Sequence, residues 1–203
     1  MGDGIMKRFH LILGLAVMLA TVGTAWAHPH IWIDATVRLD YRDGLIHGIE
    51  VHWTFDEFYT ELVVPDFDSD GSGKLDQDEL AAMAAQSHEA LKELSYFTFF
   101  LQGGAHVGAT AATDMRAAVT DGLLKYSFMV PLPEAVDLMA EGFGFALYDP
   151  TYYVDITLPG FRAIRVTADW PQACGARLVE DEDNPIYFGM VNPLVVDIQC
   201  QGV

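Results

Sequence analysis

The chain has 203 residues, 11 Lys and Arg against 29 Asp and Glu, a formal net charge of −18 and 51% hydrophobic residues. Such acidity argues against nucleic acid or an anionic membrane surface as a partner and suits cations or a basic protein patch. The length holds one domain with a full core, or one domain carrying an insertion.

In chain order, Lys7 and Arg8 precede an apolar run from Leu11 to Thr24, and Ala25-Trp26-Ala27 places small residues at both recognition positions of a cleavage site. Residues 1–27 therefore read as a secretory signal peptide, and the run is too short to span a bilayer stably. No later segment predicts a transmembrane helix, so no membrane insertion is expected after cleavage. Residues 28–203 are expected to form a single periplasmic β-rich domain that begins His28-Pro29-His30.

That start is a chelator. A freed α-amine titrates near pKa ~8 and an imidazole near ~6.5, so both give up protons readily at neutral pH. Pro29 has no amide hydrogen, which excludes a chelate through a deprotonated second-residue amide. What remains is a brace from the terminal amine, His28 and His30, whose Cα atoms lie about 7 Å apart on one side of a strand. Zinc and nickel are the favoured ions and copper the alternative, since all three suit nitrogen ligands. A frayed terminus with idle histidines is the competing reading.

Ile31, Ile33, Ala35, Val37 and Leu39 alternate with polar or exposed-type residues, and a second alternating run, Ile49 to Trp53, follows Asp43-Gly44. Together they predict a hairpin. A three-residue loop, Arg42-Asp43-Gly44, sets Ile33 opposite Trp53, Ala35 opposite Val51 and Val37 opposite Ile49 on one apolar face. A two-residue Asp43-Gly44 loop places Glu50 and His52 on that face, and is rejected for that reason. The accepted register also sets Asp34 against His52, either as outer partners of the metal's imidazoles or as a plain cross-strand hydrogen bond. At four residues, or about 13 Å, from His30, Asp34 cannot easily ligate the same ion.

An inserted helical pair follows at about residues 56–94, with a short helix over Asp56 to Val64 and a strong one over Asp76 to Leu94. Between them Asp68-Ser69-Asp70-Gly71-Ser72-Gly73-Lys74-Leu75-Asp76-Gln77-Asp78-Glu79 fits the twelve-residue EF-hand loop. Its calcium ligands are Asp68, Asp70 and Ser72 by side chain, Lys74 by carbonyl, Asp76 directly or through water, and Glu79 by both oxygens. Gly73 stands at the sharp turn. The competing reading is a solvated acidic loop with Asp76 as a helix cap. Pro65 requires the incoming helix to end early or kink. With no second loop of this type, calcium is read as structural rather than regulatory.

Further strands are expected at Tyr96–Leu101, His106–Ala112, Arg116–Thr120, Leu123–Val130, Gly144–Tyr148, Tyr152–Leu158, Ala163–Ala168 and Val195–Cys200. Gly103-Gly104 and Asp121-Gly122 mark turns. The fold class is mainly β (α+β): an antiparallel β-sandwich or open barrel with the inserted helical pair. Glu180-Asp181-Glu182-Asp183 reads as an exposed acidic loop, and His47, His88 and His106 as solvated or satisfied histidines. Cys174 and Cys200 match no zinc spacing and read as a disulfide in an oxidising compartment.

His28 to Asp34, Trp53-Thr54-Phe55-Asp56-Glu57-Phe58-Tyr59, the acidic loop, and Tyr148-Asp149-Pro150-Thr151-Tyr152-Tyr153, in that order, resemble a family of periplasmic proteins of formerly unknown function. That family is associated with nickel/cobalt-type permeases and implicated in zinc uptake. The resemblance covers nearly the whole mature chain. It implies a non-enzymatic periplasmic accessory that binds a transition metal and serves a membrane metal permease of the nickel/cobalt or zinc type. Trp32, Trp53, Phe55, Tyr152 and Tyr153 are read chiefly as core or rim aromatics, with a pocket as the lesser alternative. Two other readings compete: a copper-binding histidine brace, acting as carrier or oxidative enzyme, and a protein that is mainly a calcium-binding module. No nucleophile elbow, phosphate loop or catalytic carboxylate pair accompanies them.

Overall fold

The computed structural model describes residues 29–140, 142–167 and 169–201. The expected signal peptide, residues 1–27, and His28 lie outside the described residues. Among the described residues the chain is mainly β, with two open sheets and two α-helices, and neither sheet closes into a barrel.

The first sheet is built on β1 (Ile31–Arg42) and β2 (Leu45–Phe55), with β6 (Leu123–Val136) and β5 (Thr113–Thr120) added beyond β2. On the other edge β1 pairs in parallel with β8 (Val154–Thr157) near its start and with β9 (Ile164–Arg165) further along. This sheet is therefore mixed, not purely antiparallel. The second sheet is antiparallel throughout, in the order β10 (Cys174–Glu180), β11 (Leu194–Cys200), β7 (Phe143–Leu147), β3 (Thr98–Gln102), β4 (Ala105–Gly108). One contiguous core draws on both: Val37, Val51, Trp53 and Phe128 from the first sheet, Phe100, Phe145, Val196 and Ile198 from the second.

The hairpin corrects the expected register. Asp43 (φ 55°) and Gly44 (φ 84°) form a two-residue turn between the paired Arg42 and Leu45, a conformation that suits an Asp-Gly pair. One extra residue on β2, His47, then opens a bulge between the pairs Tyr41–Ile46 and Asp40–Gly48. The bulge shifts the ladder by one, so Val37 faces Val51 and Ala35 faces Trp53. The apolar faces still meet, because a turn that alone would have buried Glu50 and His52 is offset by the bulge. Gly48 sits where β6 comes closest. A Cβ there would meet the Val130 carbonyl oxygen at 2.5 Å.

The insertion follows β2 as α1 (Glu57–Phe67) and α2 (Gln77–Lys92). Asp56 caps α1 through Tyr59 N, and α1 runs on through Pro65 instead of ending before it. Pro65 forfeits one backbone hydrogen bond there. Asp76 caps α2 in a reciprocal capping box with Glu79.

Elsewhere several expected strands are shorter. Tyr96 and Phe97 belong to a tight turn whose three residues, Ser95, Tyr96 and Phe97, all have positive φ, ahead of β3. Burial of Tyr96 and Phe97 in the core holds a conformation that bulky side chains otherwise avoid. The strand β10 was not expected. It is an edge strand with a half-exposed pattern. Its first residue, Cys174, is bonded to Cys200, the last residue of β11. Among the described residues no helix is long and apolar enough to cross a membrane.

Candidate metal and ligand sites

At the start of the described chain, His30 N–H donates to the Tyr153 carbonyl at 2.9 Å, and the two rings lie 4.8 Å apart between centroids. Ile31 N–H reaches the same carbonyl, and Trp32 N–H donates to the Asp56 carboxylate at 2.9 Å. The start of β1 is thus gripped from both sides. Both grips come from segments singled out in the sequence: Asp56 from the Trp53–Tyr59 run, and Tyr153 from the Tyr148–Tyr153 run. Asp149 organises the latter turn. Its buried carboxylate accepts from Thr151 N–H and Oγ1–H and from the N–H groups of Tyr153 and Val154.

The other expected partners of the terminus do not gather. Asp34 pairs with Thr54 and His52 with Thr36, so the two do not face each other. The shorter turn and the bulge together move the ladder two residues from the expected register and separate them. Instead, His52 Nε2 lies 3.6 Å from Glu50, which also binds Arg38.

In the helix–loop–helix, Asp68, Asp70 and Glu79 each offer an oxygen within 4.8 Å of the others. Ser72 N–H donates to both Asp68 and Asp70, Gly73 N–H to Asp68, and Ser72 Oγ–H to the Lys74 carbonyl. Glu79 accepts from Ser69 N–H and Oγ–H on one oxygen and from Asp76 N–H on the other. The Ser72 amide and hydroxyl hold Asp70 below the usual carboxylate range, and the Asp76 amide with Ser69 does the same for Glu79. Ionised oxygens that converge this way are what a hard cation takes as ligands. Asp76 stands apart from the carboxylate cluster, its side chain committed to the amides of Asp78 and Glu79.

Two further features emerge from the tertiary structure, the second of them the lesser alternative of the sequence reading. The first is a polar cluster: His106 accepts or donates at both ring nitrogens, to the Tyr148 hydroxyl at 3.0 Å and to Asp181 at 2.8 Å. Asp181 is therefore no part of a merely solvated acidic loop. Nothing in the chain's spacing joins these three positions. The second is a pocket of about 380 Å³ between β1, β2, α2 and the 149–154 turn, walled by Trp53, Phe55, Tyr59, Phe97, Tyr126 and Tyr153. Trp53 and Phe55 are core residues as expected, yet with Tyr153 they also shape this pocket. Burial raises the Tyr59 phenol, with Tyr153 and Asp56 adding to the effect, and burial pushes Tyr126 up to about 12.

These features define a class: a disulfide-tied, mainly β protein of two open sheets with an acidic helix–loop–helix inserted after its first hairpin. The chain belongs to the family described as protein of unknown function (DUF1007), whose pattern matches residues 13–194. It is similar to an uncharacterized protein of Haemophilus influenzae, 26% identical over 180 residues, covering 86% of this chain and 82% of that one. It is also similar to the uncharacterized 15.5 kDa protein in the trpE 3′ region of Spirochaeta aurantia, 31% identical over 107 residues, covering 52% of this chain and 76% of the relative.

Proposed function

We propose that this protein is a periplasmic metal-binding accessory of a transition-metal transport system, with no catalytic activity of its own. The observation that carries metal binding is the convergence of Asp68, Asp70 and Glu79 within 4.8 Å on a loop between two helices. With the Ser72 side chain and Lys74 carbonyl beside them, these oxygens form an EF-hand-type site that takes calcium and stiffens the insertion. The transition metal, zinc or nickel, binds at the terminus through His28, His30 and the amine freed by signal cleavage. The docking of His30 on Tyr153 supports that assignment, since a pinned histidine loses less entropy on ligating an ion than a frayed one. The Cys174–Cys200 bond supports an oxidising compartment. The partner, by resemblance, is a membrane permease of the nickel/cobalt or zinc type.

The test is zinc, nickel and copper titration of the chain processed to begin at His28, beside a variant with one extra residue ahead of His28. The extension is expected to weaken binding by about ten-fold or more through loss of the amine ligand. Equal affinities would remove the amine from the site. Glu79→Gln is expected to weaken calcium binding and leave the terminal site intact.

A further inference from the structure

The aromatic pocket beside the terminus carries an assignment independent of the metal reading. Its volume, about 380 Å³, lies within the range of small-molecule sites, roughly 300–1,000 Å³. Its walls are mostly aromatic and aliphatic side chains, with Ser87, Thr151 and Asp149 the polar ones, and among the described residues no Lys, Arg or His lines it.

Among the described residues of the lining, Asp149 is the one that carries a formal charge. Its carboxylate is 5% exposed and is hydrogen-bonded by three amides and one hydroxyl. Among the described residues no cationic side chain pairs with it. The Tyr59 and Tyr126 phenols stay protonated at neutral pH, so they present neutral rings and hydroxyl dipoles. Aromatic faces are negative at the centre and attract cations, most of all where water is excluded. An anion entering this pocket would meet Asp149 and a chain of net charge −18.

We propose that the pocket binds a small organic monocation of the alkyl- or arylalkylammonium class, its cationic head among the rings of Tyr59, Tyr126 and Trp53, with Asp149 as the formal negative charge in the lining. A divalent metal ion does not suit it. The walls offer mostly aromatic and aliphatic carbon where such an ion needs several converging oxygens or nitrogens.

The test uses benzyltrimethylammonium and its neutral isostere neopentylbenzene, titrated into the processed chain at physiological salt and followed by NMR at the Trp53 indole. The ammonium is expected to saturate at Trp53 with at least about ten-fold tighter binding than the isostere. Ala90→Phe plugs the pocket from an exposed position on α2 and should weaken binding by about ten-fold or more, with circular dichroism unchanged. Ala81→Phe, on the same helix but outside the pocket, should leave it as it was. Equal binding of the two ligands overturns the cationic assignment. Binding that survives Ala90→Phe, no binding at all, or shifts confined to the acidic loops overturns the site.

Discussion

His106 and Asp181, 75 residues apart in sequence, meet at 2.8 Å between Nε2 and Oδ2, with the Tyr148 hydroxyl on the other ring nitrogen. The contact joins β4, the end of β7 and the loop after β10, so it ties the rim of the second sheet together. The imidazole is nearly enclosed, at 6% exposure.

This pair predicts an acid-sensitive fold. Burial pushes the Asp181 carboxyl upward, but hydrogen bonds from the Asn184 side chain, the Asp183 amide and His106 outweigh it and hold the group below its ordinary value. A depressed carboxyl stabilises the fold above its unfolded pKa of ~3.9 and loses that contribution as pH falls through the folded value. Asp181→Asn should cost about 1–3 kcal/mol at pH 7. Urea unfolding at pH 7 and pH 3 checks it, since the gap between variant and parent should close at the lower pH.

At the alkaline end, burial pushes Tyr126 and Tyr148 each up to about 12, with Asp181 adding to Tyr148 and the Ser87 hydrogen bond opposing the shift at Tyr126. A phenol raised in the fold contributes stability that is complete below its unfolded pKa of ~10 and is lost as pH rises toward the folded value. Ultraviolet titration should therefore show Tyr126 and Tyr148 among the late-ionising tyrosines, and chemical unfolding should become easier above pH ~10.

Gly48 lets the β6 backbone approach β2 closely beside the bulge. In Gly48→Ala the new methyl would lie 2.5 Å from the Val130 carbonyl oxygen and 2.9 Å from Pro131 Cα. Both are backbone atoms, so one strand must move. We expect a loss of about 1–3 kcal/mol by urea denaturation. Gly44→Ala is milder on space, with nothing within 4 Å of the added Cβ, and costs only the strain of a positive φ.

Reduction of Cys174–Cys200, which closes a loop of sequence separation 26, should lower stability by about 3–4 kcal/mol on the chain-entropy account. The check is urea unfolding with and without reductant. A Cys174→Ala, Cys200→Ala double variant should match the reduced protein.

The calcium-type loop yields a further measurement. If calcium binds the folded loop alone, a concentration 100-fold above its dissociation constant adds about 2.7 kcal/mol. Thermal unfolding of the parent should shift upward with calcium, and Glu79→Gln should abolish the shift.

Much of the architecture was legible because it rests on short-range pattern. Alternation in β1 and β2 marked the buried face correctly, and Ile33, Ala35, Val37, Leu39 and Trp53 are all core. The capped, alanine-rich helix after the acidic loop stands where composition placed it. The register did not follow, since local burial logic treats the turn and the ladder as one rigid unit. One extra residue at His47 uncouples them, and Asp34 and His52 part as a result. The edge strand β10 was missed because an edge needs no apolar alternation to be held by its neighbour β11 and a disulfide.

By itself the sequence determined what depends on neighbours along the chain: a β-rich domain, the helix–loop–helix with its oxygen donors, and a cysteine pair suited to a bond. Tertiary structure alone decided the rest. It brought Asp56 and Tyr153 to the two sides of the His30 strand, joined His106 to Tyr148 and Asp181, and closed six aromatic residues around one pocket. Those meetings span tens of residues, and the energy that selects them comes from burying shared apolar surface, which no local spacing records.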